Sequence, residues 1–137
     1  MKEYAITKDG FGIHTFELMI PCMKKNEMDA ILERMHKEPA NAFYYDEDKC
    51  IVVHSKKYPC LRIRLYHNKH KRYIRVIVTA NKVLYPEADY LSILNENDDV
   101  ALLGTKLNYM LTDIFGYEYG FDKFDLSRID CCVNVML

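Results

Sequence analysis

Basic and aromatic residues alternate with apolar residues in two segments in the middle of the chain, residues 61–66 and 73–78. Successive side chains of a β-strand point to opposite faces, so a period of two places the apolar set in the core and the other set on the opposite face. The six residues that connect the segments add further cations. The predicted basic and aromatic surface consists of Arg62, Arg64, Tyr66, Lys69, Lys71, Arg72, Tyr73 and Arg75.

This surface has the chemistry of a nucleic-acid-binding face. Lys and Arg gain affinity by releasing the counterions of phosphates, and aromatic rings stack on unpaired bases. We therefore predict that these residues bind DNA, either single-stranded or double-stranded. Two alternatives remain open. The arginines could pair with carboxylates from elsewhere in the chain, or the face could bind an acidic protein partner, because Arg and Tyr are enriched at interaction hot spots.

The distribution of charge favours an anionic partner for this region, although the net charge of the chain is only −1. Ten of the 19 Lys and Arg residues lie between residues 49 and 86, where there is no Asp or Glu. The rest of the chain therefore carries nine basic residues against all 20 acidic ones. Such an asymmetry is typical of a surface that meets phosphates or another acidic partner.

The remaining elements supply a scaffold for this hairpin. Alternation and turn residues predict further strands at residues 3–6, 12–20, 43–45, 50–54 and 124–135, and helical periodicity predicts helices at residues 24–37 and 97–116. Residues 46–48, all acidic, are predicted to be a solvated turn rather than a cation site. The order ββαββββαβ predicts an α+β fold, mainly an antiparallel sheet of about six or seven strands with two helices on one face.

Length and composition fit a single domain that spans residues 1–137 and has half of its residues apolar. The five cysteines form no C-x-x-C pair, and there is no apolar leader, so we expect a cytoplasmic protein with reduced thiols. No apolar run reaches the roughly 20 residues of a membrane span, so no membrane association is expected.

The final predicted strand contains two charged residues, Arg128 and Asp130, in an otherwise apolar run. Because an unpaired buried charge is costly, they either pair with each other or with neighbours, or they face a site. The run also carries a resemblance. Residues 123–135 resemble a strand of the rolling-circle replication initiation proteins of phages and plasmids, and the similarity extends back through residues 80–84. The residues that carry it are Leu126, Ser127, Arg128, Ile129 and Asp130.

The resemblance implies a DNA-binding role in replication initiation of a mobile element, without its catalytic chemistry. That family uses a His-apolar-His metal site and a nicking tyrosine, but this chain has no His-x-His. The Tyr-x-x-x-Lys spacing of Tyr119 and Lys123 also occurs at Tyr4 with Lys8 and at Tyr45 with Lys49. The resemblance therefore implies a non-catalytic N-terminal domain of such a protein, or a short relative of it, whose alternative role is that of a protein-interaction or regulatory domain.

No catalytic residue, metal or cofactor is predicted for this chain. A third possibility, a metal-dependent nuclease, would require His67, His70 and Asp130 to converge on one ion. A metal site needs a definite ligand number and geometry, and nothing in the spacing of these residues enforces either.

Overall fold

The computed structural model describes the backbone of residues 11–46, 50–84 and 97–133, in which six strands form one sheet. The first part of the chain forms β1 (Phe11–Ile20), α1 (Lys25–His36), β2 (Asn41–Tyr45) and β3 (Ile51–Ser55). It continues through β4 (Leu61–His67), β5 (Arg72–Thr79), α2 (Ala80–Leu84) and α3 (Asn97–Phe115). A short 3-10 turn (Phe121–Lys123) then precedes β6 (Asp125–Val133). The predicted α+β fold is confirmed.

The sheet has the strand order β2-β3-β4-β5-β1-β6, and every neighbouring pair is antiparallel. Strands β2 to β5 follow one another as hairpins, because short connections allow only an antiparallel return. Strand β1 lies between β5 and β6. The basic hairpin, β4 with β5, therefore lies in the middle of the sheet.

One face of the sheet and the helices form a single core. Alternate residues of the central strands are almost fully buried, with Ile63, Leu65, Ile74, Val76 and Val78 all at 0% exposure. Their side chains join those of α1 and α3 in one apolar cluster, so both long helices pack on the same face as predicted. The basic hairpin thus has the two faces that its alternating sequence predicted, and its apolar face lies toward the helices.

The two long helices begin and end at local signals. Glu27 in the first turn of α1 accepts a hydrogen bond from the backbone N–H of Lys24 at 3.0 Å, which satisfies a donor that the helix leaves free. Gly116 follows α3 with a φ of 121° and donates its N–H to the Thr112 carbonyl at 3.0 Å. Only glycine adopts this conformation without a steric cost, so it ends the helix where the sequence predicted.

The structure differs from the sequence prediction after β5. Residues 83–94 contain Pro86 and no sustained periodicity, which predicts a connection with short strand pieces, but Ala80–Leu84 form the helix α2 directly after the strand. Ala80, Val83 and Leu84 are buried in the core, and this burial favours the helical turn over an extended connection. The predicted strand at residues 3–6 and the rest of that connection, from residue 85, lie outside the described residues.

No helix in the described part of the chain combines the length and apolar character needed to cross a membrane.

Candidate nucleic-acid interface

The face of the sheet that points away from the helices carries the predicted basic surface, and we call it the open face. Described side chains on it include Glu17 and Met19 of β1, Ala42 and Tyr44 of β2, Val52 and His54 of β3, Arg62, Arg64 and Tyr66 of β4, and Tyr73, Arg75 and Ile77 of β5. Within the described ranges, no helix packs against this face. The five residues predicted on the strands of the site therefore share one surface. Arg72, predicted in the connecting loop, instead begins β5, and the alternation of that strand places it on the side of Ile74, toward the helices.

The register places two arginines directly opposite each other in the middle of this face. Arg64 of β4 pairs with Arg75 of β5. Facing side chains on neighbouring strands are about 4.5–5.5 Å apart at their Cβ atoms, and like charges at that distance destabilise a sheet. Each arginine must therefore find a carboxylate, and each one does, on opposite sides of the pair.

Arg75 is bound by Glu17 of the adjacent strand β1. Its Nε and Nη2 atoms donate to the two carboxylate oxygens, the second at 3.0 Å, in a bidentate pair. Glu17 is only 6% exposed. This hydrogen bond holds the pKa of Arg75 above its usual range. A charge-assisted bidentate pair of this kind fixes both side chains, so Arg75 is held against the sheet.

Arg64 pairs with Asp46, which follows the end of strand β2. The Nη1 atom of Arg64 donates to the Asp46 carboxylate at 2.9 Å. The hydroxyl of Tyr66 lies between the two arginines. It accepts from Arg75 Nη1 at 3.5 Å, and its hydrogen bond raises the pKa of Arg64. Glu17, Arg75, Tyr66, Arg64 and Asp46 thus form one continuous chain of contacts, which we call the central network.

The central network answers one of the alternatives that the sequence left open. Two of the three described arginine side chains on the open face, Arg64 and Arg75, pair with carboxylates of their own chain. Asp46, predicted to be part of a solvated turn, is instead a partner of Arg64. The other two acidic residues of that turn, 47 and 48, lie outside the described residues.

The predicted aromatic residues of the hairpin pack on each other. Tyr66 and Tyr73 are register partners, and their rings stack with centroids 4.2 Å apart and planes 11° from parallel. Both rings are half-buried. Further along the face, Tyr44 is 46% exposed and its hydroxyl lies 2.9 Å from His54 Nε2. The open face therefore offers partly exposed rings at two separate places, of which only the first was predicted.

Hydrogen bonds of Asn68 fix the backbone of the loop of the basic hairpin. Asn68 Oδ1 accepts from the backbone N–H of His70 at 2.9 Å and of Lys71 at 2.8 Å, an Asx-type turn. Lys69 and Lys71 are exposed, and Arg72 is half-buried. At the base of the loop, His67 Nε2 lies 2.9 Å from Asp29 of α1, which anchors the hairpin to the helix layer. That hydrogen bond lowers the pKa of Asp29.

Five of the six cations of the predicted site, all except Arg72, fall into two groups. Arg64 and Arg75 are neutralised by carboxylates. In contrast, no described carboxylate lies within ion-pair distance of Arg62, Lys69 or Lys71. These three, with Lys56 beyond the end of β3, are the exposed cations at the two ends of β4. The first and last of the seven residues of that strand are about 20 Å apart.

Strand β6 places Arg128 and Asp130 beside β1. The register pairs Arg128 with Glu17 and Asp130 with Thr15. Their side chains are not among those described, so whether they pair stays a prediction.

The register does bear on the three metal ligands considered above. Asp130 aligns through Thr15 with Thr79, whereas His67 aligns with Arg72. Thr79 and Arg72 are the two ends of β5, about 23 Å apart. Asp130 therefore lies at the opposite end of the sheet from His67. Among the described side chains, no three His, Cys, Asp or Glu residues gather in a metal-binding cluster.

A second polar cluster, which the sequence did not predict, joins the ends of three elements on the helix side. Tyr58 donates its hydroxyl proton to Asp113 at 2.6 Å, and Lys57 lies 3.1 Å from the same oxygen. Arg34 of α1 donates to the Asp113 carbonyl at 3.2 Å near the end of α3. The Tyr58 hydroxyl, and after it Lys57, lower the pKa of Asp113. These contacts are internal to the protein, and they connect the β3–β4 loop to α1 and α3.

The sequence contained only a weak signal for the carboxylates of the central network. Glu17 is a polar residue at an alternating position of a predicted strand, which indicates the open face. Its partner depends on which strand lies beside β1, and β5 is more than 50 residues away along the chain. No local pattern specifies that neighbour. Comparison of the chain with protein-family models, curated proteins and solved structures finds no match.

Proposed function

We propose that this protein is a DNA-binding module, without nicking chemistry of its own, that holds a single strand of DNA across the open face. The observation that carries the proposal is the arrangement of exposed cations at both ends of β4 with partly exposed tyrosines between and beside them. Lys69 and Lys71 lie at one end, and Arg62 and Lys56 at the other.

A single strand suits this surface better than a duplex does. A broad antiparallel sheet face offers stacking platforms for unpaired bases, and stacking contributes about 1–3 kcal/mol for each base. Bases inside a duplex are not free to stack on protein rings. The distance between the two groups of cations, about 20 Å along β4, allows both to contact the same strand of DNA. The final strand, with its resemblance to replication initiators, is consistent with this class of partner.

The central network has a supporting part in the proposal. Because Arg64 and Arg75 already bind carboxylates, phosphate contacts come from Lys56, Arg62, Lys69 and Lys71. Each phosphate contact on a single strand contributes about −0.7 to the slope of log K against log salt, so four contacts give a slope of about −3. The slope therefore counts the participating cations.

The test is a titration of fluorescently labelled single-stranded and duplex DNA of about 12 nucleotides, within the usual range of site sizes for single-strand binding. Anisotropy at about 50 mM and about 200 mM salt gives the slope. In the double variant Lys69→Gln/Lys71→Gln we expect weaker binding and a slope that is smaller in magnitude by about 1.4. The control is Lys37→Gln/Lys123→Gln, which removes the same charge from two exposed residues outside the open face.

A second pair of variants tests the stacking contribution. Tyr44→Ala removes a ring that is 46% exposed on the open face, and we expect a loss of affinity of about 1 kcal/mol or more for the single strand. Tyr117→Ala, which removes a ring that is 92% exposed near the end of α3, is the control. A folded protein that binds neither DNA probe would overturn the proposal. Binding to poly-glutamate instead of DNA would indicate the alternative, an interface for an acidic protein.

A further inference from the structure

A concave pocket lies at the end of the open face, beside the β3–β4 loop, and we call it the loop-end pocket. Its volume is about 430 Å³. Three basic or imidazole side chains line it, those of His54, Lys56 and Arg62. Its apolar lining comes from Ala42, Pro59 and Leu61. None of these residues except Arg62 belongs to the surface predicted from the sequence.

Strand register brings the polar side chains to one place. His54 of β3 pairs with Arg62 of β4, so their Cβ atoms lie about 4.5–5.5 Å apart on the same face. Lys56 follows His54 by two residues, and its backbone N–H donates to the Ala40 carbonyl at 3.0 Å. That hydrogen bond fixes the backbone of Lys56 at the start of the loop, and its side chain lines the pocket together with those of His54 and Arg62.

The imidazole ring of His54 is oriented by its neighbour. The hydroxyl of Tyr44 and Nε2 of His54 are hydrogen-bonded at 2.9 Å, and the two rings meet edge to face with centroids 5.3 Å apart. With Nε2 engaged, the Nδ1 edge is the one that can bind a ligand. No described carboxylate pairs with Lys56 or Arg62, which leaves their positive charges for an external anion.

We propose that the loop-end pocket binds a phosphate monoester, such as the terminal phosphate of a DNA strand or of a nucleotide. A monoester carries a charge of about −1.5 to −2 at neutral pH and three acceptor oxygens, which suits a pocket lined by Lys56, Arg62 and the imidazole of His54. A phosphodiester of the strand interior carries one charge and two free oxygens. The volume exceeds that of a phosphate group and falls in the range of small-ligand pockets, so the apolar lining can receive the attached sugar or base.

This inference deepens the proposed function, since it assigns the strand terminus to one end of the open face. It also stands on a pocket that can be tested without DNA. The first arm titrates the protein with methyl phosphate and with dimethyl phosphate, while NMR follows the ring signals of His54 and, as an internal control, of His70 in the hairpin loop. We expect shifts at His54 with the monoester, none at His70, and an affinity for the diester about tenfold lower or weaker.

Two charge variants connect the response to the pocket. Arg62→Gln should lower the affinity for methyl phosphate about tenfold, as expected for a lost hydrogen bond to a charged group. Lys56→Gln is a second variant on the other side of the pocket with the same expectation. Lys37→Gln, an exposed lysine outside the open face, is the charge-matched control and should have no effect.

The second arm compares otherwise identical single strands that end in a 5′-phosphate, a 3′-phosphate or hydroxyl groups only. Preference for one phosphorylated end, lost in Arg62→Gln, supports the inference. Strands that bind equally well, without a monoester response at His54, would overturn it and leave the proposed function intact. A monoester response at His54 without DNA binding would support the pocket as a site for a small phosphorylated molecule and overturn the proposed function.

Discussion

Arg62 and Arg64 are two residues apart on the same face of the same strand, but their surroundings differ. Arg64 lies in the central network with Asp46 and Tyr66, and its side chain is 27% exposed. Arg62 lies in the loop-end pocket, is exposed and has no ion pair with a described carboxylate. The two arginines differ in the residues that face them on the adjacent strands. Arg64 faces Arg75, whereas Arg62 faces His54 and Ile77.

The difference separates residues that hold the sheet together from residues that are available to a partner. Paired, partly buried charges contribute to stability, and exposed unpaired cations contribute to it very little. The binding of an anion depends instead on the exposed unpaired cations, and the paired charges contribute little to it. The same substitution, Arg to Gln, is therefore expected to have opposite effects on stability and on DNA binding in the two regions. The predictions below test this difference.

The largest effect is expected at the most buried charge of the central network. Glu17→Ala leaves the Arg75 guanidinium without its bidentate partner. A fully buried pair loses about 3–5 kcal/mol when one partner is removed. We expect about 2–3 kcal/mol here, because 33% of the Arg75 side chain remains exposed to water. Urea denaturation measures the free energy of unfolding.

Glu17→Gln is the matched control for this change, since it keeps an acceptor for Arg75 and removes only the charge. It should be less destabilising than Glu17→Ala. If both variants unfold at the same urea concentration as the wild type, the central network does not stabilise the sheet.

A smaller effect is expected at the second arginine of the network. Arg64→Gln breaks the ion pair with Asp46, and we expect a loss of about 1–1.5 kcal/mol, since both side chains are about a quarter exposed. The slope of DNA binding against salt, measured for the folded fraction, should be unchanged. A reduced slope would show that Arg64 contacts phosphate in spite of Asp46.

The polar cluster on the helix side predicts a dependence of stability on pH. The pKa of Asp113 lies below its usual value because Tyr58 and Lys57 interact with the carboxylate. The resulting stability is present above the unfolded-state pKa of about 3.9 and is lost as the pH falls through the lower folded-state pKa.

We therefore expect Asp113→Asn to be less stable than the wild type at pH 7 by about 1 kcal/mol, after allowance for the exposure of the side chain. The difference should shrink as the pH is lowered from about 5 to about 2. Urea titrations at several pH values measure it. A difference that stays constant with pH would contradict the assignment of the interaction to the ionised carboxylate.

The smallest effect on stability is expected for Arg62→Gln, within about 0.5 kcal/mol of the wild type, as for other exposed substitutions. Its effect on binding should instead be clear, with the salt slope reduced in magnitude by about 0.7. The same two measurements on Arg64→Gln give the opposite pattern. Equal results for both variants would remove the distinction between the two regions.

Most of the fold could be predicted from local patterns. The period of two in the basic hairpin divided its residues between core and open face, and the burial of Ile63, Ile74 and Val76 confirms it. Gly116 ended a helix whose periodicity was already visible. Such signals reside in neighbouring residues, which is why they can be seen without the structure. The helix α2 was missed because five residues carry too little periodicity.

The candidate site could be predicted only in part. The sequence determined which residues are basic and which of them share a face. It also showed that they are separated from the acidic residues along the chain. Only the tertiary structure decided which of these cations remain available. Glu17 reaches Arg75 because β1 lies beside β5, and Asp46 reaches Arg64 from the end of a different hairpin. The physical reason is that an ion pair requires proximity of a few ångströms, and strand order across the sheet creates that proximity between residues far apart in the chain.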